Sequence, residues 1–273
     1  MENEYSVLMS VYKKEKPEYL EQSIDSMLNQ TVKPSEIVIV KDGPLTKELD
    51  KVIDEYKLKS KDLFNIVISE QNLGLGKALN LGLESCKYEL VARMDTDDIS
   101  LPTRCEKQIK QFMNDSNLVI IGTAIDEFYD NMDEIISSRV VPTKHDEIYQ
   151  FAKRRSPFNH PTVMYKKSKV LALGGYSDLK RNQDVDLFGR MLFYGYKAQN
   201  LGESLLLFRS NMDLNRRRKS WGNTKSYIGT IKKFWKLGYS NFTDYFIVMC
   251  GQTFMFICPV FVQNFIYKKF LRK

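Results

Sequence analysis

The stretch Leu90–Asp98, LVARMDTDD, decides how the rest of the chain is read. Leu90–Met94 is an apolar run of strand length, and the four residues after it hold three carboxylates. Three acids in four residues repel one another and call for compensation. A divalent cation provides it, and oxygen ligands suit magnesium or manganese. Phosphate oxygens can complete such a shell, so that the metal stabilises a departing diphosphate. The plain alternative is a solvated acidic turn in which Asp98 caps the next helix.

Working outward, Tyr5–Val11 (YSVLMSV), Glu36–Val40 (EIVIV) and Asn65–Ser69 are further strand-length apolar runs. Between them, Pro17–Asn29 carries helical spacing through Leu20, Ile24, Met27 and Leu28, and Lys47–Tyr56 and Leu75–Leu83 read as helices. Continuous apolar strands alternating with helices predict an α/β chain whose mostly parallel sheet is covered on both faces. Ligands of such sheets sit beyond the carboxyl ends of the strands. That rule selects Ser10–Lys14, Lys41–Pro44 and Asp95–Asp98, the most chemically suggestive loops of the first hundred residues. Beyond them, Pro102 opens a helix to about Met113, and Leu118–Gly122 reads as a strand. A strand near Thr162–Tyr165, a Gly174-Gly175 turn, a helix over Val185–Tyr194 and a strand near Leu205–Phe208 follow. Ala124–Pro161 carries no clear pattern.

With 273 residues, 43% hydrophobic and 27% charged, the chain is neither disordered nor collagen-like. Cys86, Cys105, Cys250 and Cys258 have no metal spacing and only His145 and His160 beside them, which argues for reduced core thiols over a zinc site. Met1–Tyr5 leads straight into strand-like sequence without a secretory leader, so a cytoplasmic chain is expected. The net charge of +7 is unevenly spread: from Leu206 onward there are 13 Lys and Arg against 2 Asp and Glu, and before it 28 against 32. A near-neutral body with a basic tail predicts an anionic surface as partner. Tyr245–Tyr267 holds no charge and is followed by Lys268, Lys269, Arg272 and Lys273, a pattern that favours acidic lipid over nucleic acid. No Arg-aromatic interleaving of the single-strand-binding kind is present. A helix over those 23 residues would cross a bilayer, but Pro259 would kink or end it. A true span, an interfacial anchor and a core or dimer helix stay open.

The motifs SVLMSVYKKE, MLNQT, EIVIVKDG, QNLGLGKALNLGL, ARMDTDD, NHPTVMY, LGGY and NQDVDLFGRM occur in order over residues 5 to 210. Together they resemble a family-2 glycosyltransferase with the GT-A fold, of the bacterial type that builds capsular and O-antigen repeat units on a polyprenyl-diphosphate lipid. The resemblance implies a GT-A domain over 1–210 and inverting transfer from a UDP-sugar to a lipid-linked saccharide, while the basic and apolar tail adds the expectation of a C-terminal helical membrane-association region over 211–273. It also implies a Mn2+ or Mg2+ cofactor and a cytoplasmic enzyme, peripheral or monotopic at the inner face of the membrane.

Carried over by position, Tyr12 would lie against the uracil with Ser10 and Val11 beside it, although the residue alone also reads as a surface aromatic. Asp42 would accept from the uracil or be a plain Asp-Gly turn; the family usually shows two acids where this sequence has Lys41-Asp42. Lys77, in a Gly-rich helix start, would reach the diphosphate. Arg93 would contact the donor or pair with the aspartates, Asp95 with Thr96 would touch the ribose or sugar, and Asp97 would ligate the metal. Asp184 would be the catalytic base, in a Gln183-Asp184 pair where the family carries Glu-Asp, or else a helix cap. His160 and Gln183 are weaker candidates for sugar contacts, and Arg209, Arg216 and Arg217 for the leaving diphosphate.

Two other readings share parts of this pattern. A sugar nucleotidyltransferase would carry glycines after the first strand, and Ser10–Lys16 has none. A non-catalytic membrane-associated module would leave Asp95–Asp98 and Asp184 without a purpose.

Overall fold

The computed structural model describes residues 3–210, 220–259, 262, 263 and 266. Four parallel strands make its first half: β1 (Tyr5–Val11), β2 (Glu36–Asp42), β3 (Phe64–Ser69) and β4 (Leu90–Arg93), side by side in the order β3-β2-β1-β4. The helices between them are α1 (Pro17–Leu28), α2 (Lys47–Lys59) and α3 (Leu75–Ser85). Successive side chains of β1 and β2 alternate between two apolar layers, which is the physical meaning of their unbroken apolar runs. Leu8, Val38 and Val40 pack with Ala78, Leu79 and Leu83 of α3. Val7, Met9, Ile37 and Ile39 pack with Leu20, Ile24 and Met27 of α1.

The sheet then turns mixed. After a two-residue strand β5 (Ile99–Ser100) come α4 (Arg104–Asn114), β6 (Leu118–Phe128), β7 (Ser137–Arg139), α5 (His145–Ala152), β8 (Met164–Lys166), α6 (Lys167–Ala172), α7 (Gln183–Phe193) and β9 (Lys197–Arg209). β8 runs antiparallel to both β4 and β6, β9 runs parallel to β6, and β5 closes the far edge against β9. The ladder between β6 and β9 is far longer than the sequence suggested. It extends through Gly122 opposite Asn200 and Asp126 opposite Leu207, with register shifts on the way. Polar residues and bulges interrupt the apolar alternation there, so neither strand announces its full length.

After residue 220 the chain forms α8 (Trp221–Lys236) and α9 (Phe242–Ile257), and α9 opens on a capping box between Asn241 and Asp244. Ile231 and Phe234 of α8 are fully buried in the same core layer as Leu187 and Phe188 of α7. Asp186 ties the two helices, taking Lys233 Nζ at 2.6 Å and Arg190 Nε at 2.8 Å. α9 stops at Ile257, with Cys258 extended just before Pro259, as the steric demand of a proline on its predecessor requires. Among the described residues, no helix is long and apolar enough to cross a membrane.

Candidate functional site

Because β1 lies between β2 and β4, the three loops selected from the sequence meet at one edge of the sheet. At the end of β1, Val11 is fully buried, while Ser10 and Tyr12 are half-buried. The carbonyl of Tyr12 accepts from the Glu15 amide at 3.0 Å, folding the loop back so that Glu15 faces the acidic cluster. There Glu15 Oε2 accepts from the hydroxyl of the buried Thr96 at 2.6 Å. At the end of β2, Asp42 is 4% exposed and fastens the loop before α3. Its carboxylate accepts from Leu73 N at 2.6 Å, Asn72 Nδ2 at 2.9 Å and Gly74 N at 3.1 Å. Lys77, in the first turn of α3, is half-exposed and pairs with Asp178 at 2.8 Å.

Asp95, Asp97 and Asp98 bring carboxylate oxygens within 4.8 Å of one another. Asp98 is wholly buried: Oδ1 accepts from the Arg209 amide at 2.9 Å, and Oδ2 has no partner among the described residues. Burial, with Asp95 and Glu15 beside it, pushes the Asp97 carboxyl up to about 7, and burial with Asp97 and Asp95 raises Asp98 well above the usual range. An all-oxygen donor set, an orphaned carboxylate oxygen and two acids that resist ionisation are the chemistry that a hard divalent cation relieves. The residues fit such an ion.

Arg93 pairs with this cluster through Asp95. It is 1% exposed and its guanidinium binds Asp95, yet Nε and Nη1 lack partners among the described residues. Its charge acts on Asp97 and Asp98 and also on His160, Tyr176 and Asp184. Asp184 sits in the first turn of α7, and burial raises its carboxyl above the ordinary aspartate value against the opposing pull of Arg93 and Arg139. His160 Nε2 lies 3.0 Å from Tyr176 Oη, and its ring packs edge-on against Tyr176 and Phe188. Burial, then Arg93, depresses its pKa well below the normal value, so the imidazole is neutral. Gln183, beside Asp184, is 6% exposed.

Arg209 closes the site from β9. Its guanidinium is sandwiched between Tyr19 and Phe128, 3.9 and 4.6 Å from the ring centres. It donates to Asp97 O at 2.9 Å and to Gln22 Oε1 at 2.6 Å, so it braces the acidic loop directly. Arg216 and Arg217 lie outside the described residues. Glu15, Tyr176 and Arg104 belong to the site although no spacing of their own pointed to them. Arg104 is fully buried and donates to the carbonyls of Arg93 at 3.2 Å and Pro161 at 2.7 Å, pinning the end of β4 to the turn that carries His160. A buried arginine in the first turn of α4 looks, in sequence, like any solvated helix residue.

The family model "Glycosyl transferase family 2" matches residues 6–172. The chain is 38% identical over 270 residues to the amylovoran biosynthesis glycosyltransferase AmsE of Erwinia amylovora, covering 97% of this chain and 98% of the relative. It is 34% identical over 274 residues to the UDP-Gal:alpha-D-GlcNAc-diphosphoundecaprenol beta-1,3-galactosyltransferase of Escherichia coli, covering 98% of this chain and 97% of the relative. Among solved structures, the mannosyltransferase PcManGT of Pyrobaculum calidifontis superposes with a TM-score of 0.65 at 15% identity, covering 92% of this chain and 69% of that one. S. aureus TarS 1–349 gives 0.62 at 16%, covering 95% and 77%. These likenesses carry the GT-A fold, and the sequence matches carry the family. By the family model over residues 6–172 and relatives matched over nearly their whole length, this chain, with its acidic triad after β4, belongs to the family-2 glycosyltransferases.

Proposed function

We propose that the enzyme transfers a hexose or N-acetylhexosamine, with inversion, from a UDP-sugar to a saccharide carried on a polyprenyl diphosphate, as a step in capsule or O-antigen synthesis. The observation that carries this reading is the clustering of the Asp95–Asp97–Asp98 carboxylates at the end of β4, with the charge of the buried Arg93 acting both on that cluster and on Asp184. The Escherichia coli relative is named for a UDP-Gal donor and a diphosphoundecaprenol-linked acceptor, which supports both substrate classes.

In this reading Tyr12 lies on the uracil with Ser10 and Val11 beside it. Asp42 both braces the 72–74 loop and presents its carboxylate edge to the base. Lys77 exchanges Asp178 for the diphosphate, and the amino-terminal turn of α3 adds its dipole. Asp95 and Thr96 face the ribose and sugar, Arg93 steadies the donor, and Asp97, with Asp98 beside it, holds Mn2+ or Mg2+. When bound, that ion supplies charge stabilisation to the departing diphosphate. Asp184 takes the proton of the attacking hydroxyl while the bond between the anomeric carbon and the diphosphate breaks on the opposite face of the sugar. The raised carboxyl pKa at Asp184 brings it nearer the range in which a general base works best. The neutral His160 and Gln183 line the sugar side. Arg209 acts on the leaving group by holding the acidic loop, and Arg216 and Arg217 contribute further positive charge there.

The basic segment 211–273 attaches the 1–210 catalytic domain to an acidic membrane surface, peripherally or monotopically at its cytoplasmic face. Exposed Phe242, Phe246, Ile247, Phe254 and Ile257 on α9, with Lys225, Lys232 and Lys236 on α8, support a lipid surface over a nucleic acid. Titration calorimetry of UDP with and without Mn2+ tests the site: binding should require the metal and disappear in Asp97→Ala. Metal-independent binding that survives this change would remove the cation from Asp97. No binding of UDP by the wild-type chain would sink the donor assignment.

A further inference from the structure

The two ring nitrogens of His160 have different surroundings. Nε2 lies 3.0 Å from Tyr176 Oη. Nδ1 makes no hydrogen bond among the described residues, and His160 is only half-buried, so this nitrogen is left for a ligand. In a neutral imidazole one nitrogen donates and the other accepts, so the partner of one fixes the role of the other. Tyr176 is held firmly for such a task. Asn80 of α3 clasps its backbone from both sides, accepting from Tyr176 N at 2.7 Å and donating to Tyr176 O at 2.8 Å. The clasp needs a bare residue before it: Gly175 has a φ of 68°, and a Cβ there would collide with Asn80 Oδ1. Tyr176 is 3% exposed, and its ring centre lies 5.5 Å from that of His160. Tyr165 on β8, a second fully buried phenol that acts on Tyr176, has a hydroxyl without a hydrogen-bond partner among the described residues.

Buried hydrogens along this row are satisfied in one direction only. If Nε2 carried the hydrogen and gave it to Tyr176 Oη, two phenolic hydrogens would remain in the interior, with no acceptor for the second. With the Tyr176 hydrogen aimed at Nε2, Tyr165 can turn its own toward Tyr176 Oη, and the donor left over is Nδ1–H on the open side. We propose that Tyr176, clasped by Asn80 and backed by Tyr165, fixes His160 in the Nδ1–H form and so makes it a hydrogen-bond donor to an oxygen of the bound sugar. Tyr176 is then a positioning residue that acts through His160. The inference rests on the reading of His160 as lining the sugar side, and it decides the sense of that contact. A neutral N–H donates to a sugar oxygen without adding charge to the site. It also cannot take the proton of the attacking hydroxyl through that nitrogen, which leaves the base role to Asp184.

The chain contains two histidines, so nitrogen NMR of protein labelled at histidine reads the tautomer directly. His145 is the internal reference: its Nδ1 accepts from Ala198 N at 3.2 Å, which puts its hydrogen on Nε2. At neutral pH the wild type should show one imidazole protonated on Nε2 and one on Nδ1, the latter absent from His160→Asn. In Tyr176→Phe the His160 signals should move to the Nε2–H form or to an average of the two forms, while UDP affinity by calorimetry stays unchanged. In the same variant kcat/KM on the best UDP-sugar should fall about tenfold, the worth of one neutral hydrogen bond. The side-chain amide nitrogen of Asn stands in for Nδ1 and that of Gln for Nε2. His160→Asn should therefore stay within about tenfold of wild type, and His160→Gln should fall about tenfold further. A wild-type His160 protonated on Nε2, an Nδ1–H form that survives Tyr176→Phe, or a His160→Gln as active as His160→Asn would each overturn the inference and leave the UDP-sugar reading standing. Absence of transfer from every UDP-sugar by the wild type would sink that reading and the sugar contact with it.

Discussion

Replacing Arg209 by alanine tests whether the acidic loop is held by the end of β9. The guanidinium gives a hydrogen bond to Asp97 O, another to Gln22 Oε1, and faces to Tyr19 and Phe128, all with 5% of the residue exposed. Hydrogen bonds from a charged donor are worth about 1.5–3 kcal/mol each, and an arginine on an aromatic face about 0.5–1 kcal/mol. Water reaching the vacated space recovers part of that, so the expected loss is about 3 kcal/mol. In a chain of this size 1 kcal/mol moves the melting temperature by about 2–4 °C, which gives a fall of roughly 6–12 °C. The assay is calorimetric melting without metal or nucleotide, so that any contact between Arg209 and a ligand is silent. Arg209→Lys should recover less than half of the loss, because an ammonium cannot fork to two acceptors and stack at the same time. A melting temperature within about 1 °C of wild type in Arg209→Ala would refute the bracing role and leave the side chain to the ligand.

Asp184→Asn should keep UDP binding and lose transfer by about three orders of magnitude; normal turnover would place the base elsewhere. Because Asp184 must be ionised to accept a proton and burial raises its pKa, wild-type kcat/KM should fall on acidification at a pH above the ordinary aspartate value of about 4. An acid limb at or below that value in the pH–rate profile would contradict the assignment. Gly189→Ala would set a Cβ 2.0 Å from Phe234 Cζ, and overpacking at this crossing of α7 and α8 should cost about 1–3 kcal/mol, read as a lower denaturation midpoint. An unchanged midpoint would mean that α8 slides freely on α7. Asp186→Ala strips the buried partner from Arg190 and Lys233 and should destabilise by about 3 kcal/mol, less than a fully buried pair because Lys233 is half-exposed. Urea unfolding at wild-type concentrations would show the pair to be idle.

What the sequence made legible is what repeats or clusters. Unbroken apolar runs such as YSVLMSV and EIVIV specify strands buried on both faces, and the rule for carboxyl ends then gathers Tyr12, Asp42 and Asp95–Asp98 before any coordinates exist. The place of Asp184 at the start of a helix was legible because the motif it belongs to has a fixed order, and the structure puts it in the first turn of α7. The long ladder of β6 with β9 was not, since Gly122, Thr123 and Asn200 break the apolar pattern and their stability comes from pairing. Arg104 and Arg209 were opaque as positioning groups for a related reason: burial of an arginine depends on partners such as the Pro161 carbonyl, 57 positions from Arg104, and the Tyr19 ring, and no local spacing encodes it. The helices after residue 220 show both sides. Pro259 ended α9 as its chemistry demands, while the docking of Phe234 onto α7 depended on the bare surface at Gly189.

The bond from the Arg209 amide to Asp98 also orders events in time. It joins positions 111 residues apart, so the acidic loop that follows β4 lacks this brace until β9 has slid in between β6 and β5. As the chain leaves the ribosome, β1 to β4 emerge first and can pair at once, but of their three crowded carboxylates only Asp95 then has its partner, Arg93. Pairing between distant strands is the slow part of folding. The acidic loop therefore settles last, and a polypeptide released before Arg209 is a sheet whose Asp97 and Asp98 still lack their hold on the far strand.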